Sequence, residues 1–124
     1  MQNLIYSLPI ILLISFFWKA DFFKRDLYKE ALSLEDWDII TYQQASHDSG
    51  IYDKYQPFLC DLHKVVKEAC PDAKFYIHQT WAYEQDSQRL NTELGYEDCR
   101  DMYNDIKVSA LKAAKSIDAD FIIP

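Results

Sequence analysis

Glycine is almost missing from this sequence. Only Gly50 and Gly95 occur in 124 residues, where ordinary usage would supply roughly nine. Two glycines so far apart cannot write a GxGxxG dinucleotide turn, a GxxxxGK[ST] phosphate loop or a GxSxG nucleophile elbow. Basic residues are also few: 13 Lys and Arg stand against 20 Asp and Glu, for a net charge of −7. That balance lacks the basic footprint of a nucleic-acid binder and the polybasic cluster that would hold a chain on anionic lipid. Cysteine is sparse too. Cys60, Cys70 and Cys99 form no CxxC and cannot all pair, so no disulfide framework is expected. Cys60 and Cys70 fall on one expected helix almost three turns apart, too far to bridge.

What is present is ordinary for one globular domain: 49% hydrophobic and 27% charged residues,. Residues 1–18 carry no charged side chain. They barely reach spanning length, and Pro9 weakens a straight helix. A signal or membrane segment, a buried strand or helix, and a start that does not reflect the gene's own beginning all remain open. The segment leans toward an extracytoplasmic location, and any membrane contact would run through it alone. The domain proper is expected over residues 19–124.

Beyond that segment, helix and strand patterns alternate. Asp21–Leu32 reads as a helix, with Phe23, Leu27, Ala31 and Leu34 recurring near every fourth position,. Trp37–Tyr42 reads as a strand. Tyr55, Phe58, Leu59, Leu62, Val65, Val66 and Ala69 make one helical stripe,, with Asp53 as N-cap and Pro71 as stop. Lys74–Thr80 is the next strand, and 81–96 a long polar loop. Glu97–Ile117 is the last helix, with Met102, Tyr103, Ile106, Ala110, Ala113, Ala114 and Ile117 on one side. Residues 120–124 start a third strand.

A β-α-β-α-β order makes the strands parallel, with their C-terminal ends on one edge. In open α/β sheets that edge carries the ligand site. Here it gathers Gln43, Gln44, Ser46, His47 and Asp48, then His78, Gln79, Thr80, Trp81 and Tyr83. Ser46-His47-Asp48 spells a hydrolase triad, but such triads are assembled across separate loops, and solvated loop residues are the expected reading. His47, His63 and His78 show no metal-ligand spacing; neither a metal nor a cofactor is expected. Two amides at a strand end are costly unless paired. One of Gln43 and Gln44 can bond backbone while the other faces the cleft and donates to a developing oxyanion; a purely structural anchor is the alternative. The polar-aromatic run His78-Gln79-Thr80-Trp81 suits a small polar ligand such as a sugar, or a packed strand end.

WDIITYQQASHDSGIYDKYQPFL, AKFYIHQTWAY and the helical MYNDI together resemble the SGNH/GDSL hydrolase superfamily. They are most similar to an uncharacterised bacterial branch with a Trp-Asp-x-x-x-x-Gln-Gln-x-Ser signature and a His-x-Thr-Trp-Ala-Tyr strand. The resemblance runs over Leu32–Pro124. It implies a three-layer, flavodoxin-like α/β/α fold, here partial and truncated. It also implies cleavage of ester or acetyl groups, often on carbohydrates or lipids. The superfamily's nucleophilic serine follows its first strand, an asparagine after its third strand donates to the oxyanion, and an Asp-x-x-His supplies the base. On that map Gln44 would be the oxyanion-side amide, with Gln43 or Ser46 in support. His78, Gln79, Thr80, Trp81 and Tyr83 would line the substrate. Ser7 and Ser15 lack the Gly and Asp neighbours of the serine block, and Asp-x-x-His does not occur. The resemblance therefore implies a chain inactive alone, with sheet edges open to self-association. The alternative is a non-enzymatic sugar-binding or interaction module using the same cleft.

Overall fold

The computed structural model describes residues 11–15 and 29–124. Four strands, β1 (Ile11–Ser15), β2 (Ile39–Gln43), β3 (Lys74–His78) and β4 (Phe121–Ile123), form one sheet in the order β1-β2-β3-β4. Every neighbouring pair is parallel. This is the α/β architecture with a parallel sheet that the alternating pattern implies. β1 falls within residues 1–18 and pairs in register with β2, from Ile11↔Ile39 to Ser15↔Gln43. The rest of that segment lies outside the described residues.

The period of two divides each strand between two faces. Ile40, Tyr42, Phe75 and Ile77 point to one face and are buried. Two helices cover them, α1 (Phe58–Ala69) and α2 (Cys99–Ile117). Leu59 and Val66 of α1 and Ala110, Ala113, Ala114 and Ile117 of α2 complete the core. Fully burying a side chain such as Ile40 or Leu59 contributes roughly 1.5–3 kcal/mol each. The run of small alanines lets α2 lie close to the sheet.

α2 begins where the Asp98 carboxylate accepts the Arg100 N–H at 2.8 Å, the geometry of an N-cap. It ends at Asp118, which takes the left-handed conformation (φ 53°) while Ala119 N–H returns to Ala114 O at 2.9 Å,. Gly95 (φ 77°) turns the chain into this helix.

Several expectations need correction. The helix expected from Asp53 starts only at Phe58, after Pro57. Tyr52–Lys54 forms a separate 3-10 turn, and Asp53 caps nothing. Tyr55 is still buried, but from the loop. Leu34 is exposed and Leu32 takes the buried place, because the helical stretch ends at residue 33; residues 21–28 lie outside the described residues. Trp37 stands before β2, its Nε1–H donating to Ala31 O at 3.3 Å. Tyr103 is exposed, whereas Ser109 is buried. The stretch 81–96 is no simple loop: it holds a π-helical turn, Arg89–Glu93. Its Leu90 seeds a second small core with Met102 and Ile106. Among the described residues no helix is long and apolar enough to cross a membrane.

Candidate functional site at the strand ends

Gln43 closes β2 and His78 closes β3, and the two are register partners. They share a face, because aligned residues of parallel strands point the same way. It is the face away from α1 and α2, since the intervening Tyr42 and Ile77 belong to the helix-covered core. Ser15, the last residue of β1, is the register partner of Gln43 on its other side. Both Gln43 and His78 are half-buried.

Gln44 behaves differently from its neighbour. It is buried and engaged at both ends of its amide. Nε2 donates to Lys54 O at 3.0 Å, and Oε1 accepts the Ala45 N–H at 2.8 Å. The amide thus pins the two ends of the 44–54 loop. Two more bonds finish that loop: Ser49 Oγ donates to Ser46 O at 2.7 Å, and the Tyr55 hydroxyl donates to Ser49 O at 2.8 Å. An unsatisfied amide at Gln44 would cost about 1–3 kcal/mol, so its pairing is what permits burial. Gln43 makes no side-chain hydrogen bond among the described residues.

The 3-10 turn Ser46–His47–Asp48 does not build a triad. His47 Nε2 lies 3.4 Å from Asp48 Oδ2 at the surface, and no Ser46–His47 hydrogen bond occurs. The three histidines are not brought together. His63 shares a 2.9 Å hydrogen bond with the Tyr42 hydroxyl inside the helix–sheet interface, while His78 is on the opposite face. Among the described residues no group of three or more His, Cys, Asp or Glu is placed to hold a metal ion.

Beyond β3 the chain presents contrasting neighbours. Gln79 is buried, its N–H donating to Ile123 O at 2.8 Å. Thr80 is 7% exposed, and its Oγ1 is buried with no hydrogen-bond partner among the described residues. Trp81 is 84% exposed. Tyr83 turns away from the edge: its N–H donates to Met102 Sδ, its ring packs on the Leu90 core, and the Arg89 guanidinium stands 5.8 Å over it. The edge therefore assembles Gln43, His78, Thr80 and Trp81, but not Tyr83. An orphaned buried hydroxyl beside a bare indole was not foreseeable from sequence, because it depends on which neighbours fail to arrive. A concavity of about 520 Å³ among Trp37, Asp38, Cys70 and Ala73 lies at the opposite, N-terminal edge and contains none of these groups.

A family model described as a domain of unknown function (DUF4886) matches residues 24–124. The chain belongs to the DUF4886 family. The crystal structure of a DUF4886 family protein from Bacteroides uniformis is 34% identical to it. That structure superposes with a TM-score of 0.68 over 78% of this chain and 38% of that one, so the DUF4886 chain described here spans well under half of that relative. A second solved structure, a "putative SGNH hydrolase" from Slackia heliotrinireducens, gives a TM-score of 0.68 at 19% identity, over 93% of this chain and 78% of its own. At that identity the likeness concerns the fold, which is SGNH hydrolase-like. No curated protein matches the chain.

Proposed function

We propose that this DUF4886 chain carries the oxyanion-side and substrate-binding edge of an SGNH-type hydrolase whose complete form cleaves ester or acetyl groups on carbohydrate. The observation that carries the reading is the pairing of Gln43 with His78 on one face at the strand ends, beside Thr80 and Trp81. Ester cleavage passes through a tetrahedral oxyanion, and a preorganised amide donor aimed at that oxygen lowers its energy. The Gln43 amide can supply this donor, while Gln44 holds the adjoining loop. The exposed Trp81 indole offers the flat apolar face on which a sugar ring stacks. In this reading the nucleophile and the base come from parts of the complete form that resemble the family's serine and Asp-x-x-His blocks. The chain by itself then binds an acetylated sugar without turning it over.

The test pairs calorimetry with hydrolysis. An acetylated xylo-oligosaccharide should bind, and both Gln43→Ala and Trp81→Ala should weaken it. Nitrophenyl acetate should not be hydrolysed by the chain alone. Turnover sensitive to a serine reagent would overturn the division of labour. Absence of binding, with Trp81→Ala altering only stability, would overturn the site. A second reading, a sugar-binding module without catalysis, is favoured by the 84% exposure of Trp81. Equal affinity for plain and acetylated sugar, indifferent to Gln43→Ala, would select it.

A further inference from the structure

A separate groove of about 420 Å³ lies between the loop after β2 and the middle of α2. Its volume falls in the range of small-molecule sites. Gly50 and Asp53 form one wall; Tyr96, Asp105, Ser109 and Lys112 form the other. None of them belongs to the strand-end edge.

The groove is held open by fixed contacts. A Cβ at Gly50 would come to 3.0 Å from the Tyr96 hydroxyl and 3.3 Å from Asp105 Cβ, so any side chain there would push these neighbours outward by a few tenths of an ångström. Gln56 ties the loop to the helix, with Nε2 3.0 Å from Ser116 Oγ and 3.3 Å from the Tyr52 hydroxyl. The Tyr96 hydroxyl donates to Asp105 Oδ2 at 2.6 Å. Lys112 Nζ rests 5.8 Å over the Tyr52 ring. A pre-formed site loses less on binding than one that must be ordered.

The mixed charge of the lining favours a ligand that both donates and accepts hydrogen bonds. An anion would meet Asp53 and Asp105. A simple cation would meet Lys112. A purely apolar molecule would strip water from both carboxylates and the ammonium without replacing its hydrogen bonds. A neutral polyol suits all three, because each hydroxyl both donates and accepts. Its donors match the carboxylate oxygens and its acceptors match Lys112. Ile51 and Val108, exposed at the rim, offer apolar surface to the C–H face of a ring.

We propose that this groove binds a saccharide unit, as a site distinct from the strand-end edge. It does not depend on the hydrolase reading, since none of its residues takes part there.

Amide chemical shifts of the full chain, titrated separately with cellobiose, xylobiose and N-acetylglucosamine, test it. At least one sugar should shift the amides of Gly50, Ile51, Ser109 and Lys112 in a saturable way. The surface variants Asp53→Asn and Lys112→Met, checked for unchanged melting, should each weaken that binding about tenfold, as expected for losing a charge-assisted hydrogen bond. Gly50→Ala should weaken it as well. The proposal is overturned if none of the three sugars moves these amides, if the shifts gather only around His78–Trp81, or if both surface variants bind as tightly as the parent. A Trp81→Ala variant that still shows the groove shifts would separate this site from the strand-end one.

Discussion

The Tyr42 hydroxyl and His63 Nδ1 lie 2.9 Å apart between the sheet and α1. Tyr42 has no exposed surface. Its ring stacks on Phe75 at 6.3 Å, and the His63 imidazole meets Phe75 edge-on at 4.7 Å. Two polar groups thus enter an otherwise apolar interface, and they satisfy each other there. Burial pushes the phenol far above its usual range and pulls the imidazole below 6.5, with Lys67 adding to the downward shift at His63.

This pair gives the chain an acid-side loss of stability. The folded imidazole binds a proton less readily than the unfolded one. Below about pH 6.5 the unfolded state therefore holds more protons, and stability falls as pH falls toward the folded value. Beneath that value the loss levels off. Urea midpoints between pH 7.5 and 5 should drop for the parent and drop less for His63→Gln. Equal slopes would remove His63 as the source.

Tyr42→Phe keeps the ring and deletes only the hydroxyl. It leaves the His63 nitrogen without its partner in a half-buried place, at a cost of about 1–2 kcal/mol. Tyr42→Ala should cost about 3–5 kcal/mol, because a cavity is added. Chemical denaturation of both variants checks the ordering. A neutral Tyr42→Phe would mean that water replaces the hydroxyl without loss.

Strands β2 and β3 were legible from sequence because IITYQ and KFYIH are short, β-branched and aromatic runs, and α1 because its stripe repeats at helical spacing. β1 was not, because it lies in an uncharged segment that fits a membrane or signal stretch as well as a strand. The start of α1 was misplaced since Tyr55 shares its periodicity while sitting in a loop. Its ring packs in the main core from the loop and its hydroxyl bonds to Ser49 O, neither of which any spacing reveals. Leu90 was invisible within a polar stretch for the same kind of reason: its partners Met102 and Ile106 are distant in sequence. At the strand ends, the order of elements placed Gln43, Gln44, His78 and Trp81 at or just past the ends of β2 and β3. It could not say which of two adjacent glutamines is spent on the backbone, because that depends on where Lys54 returns.

Gly50 and Gly95 should respond differently to a second change. Gly95→Ala forces a side chain into φ 77°, a backbone cost of about 1–2 kcal/mol that no neighbour can relieve, since nothing lies within 4 Å of the added Cβ. Gly50→Ala instead meets the Tyr96 hydroxyl at 3.0 Å. Adding Tyr96→Phe should recover part of the Gly50→Ala loss and none of the Gly95→Ala loss. A double-mutant cycle on melting temperature measures this coupling. A zero interaction term at Gly50 would place the strain on the Asp105 side.

Thr80 separates stability from binding most directly. Its buried hydroxyl has no partner among the described residues, and a buried group left unpaired costs about 1–3 kcal/mol. Thr80→Val keeps the β-branched shape and removes that hydroxyl, so the folded chain should gain about 1 kcal/mol or more. Thr80→Ser keeps the hydroxyl and should not gain. If the strand end opens on binding so that a sugar, or a water held by it, reaches the hydroxyl and completes its hydrogen bond, Thr80→Val will also lose affinity for the acetylated oligosaccharide while Thr80→Ser keeps it. Sites that trade stability for function behave in this way. Denaturant midpoints and calorimetry on the same two variants decide the matter. A stabilised Thr80→Val with full affinity would leave Thr80 as a packing residue and confine the site to Gln43, His78 and Trp81.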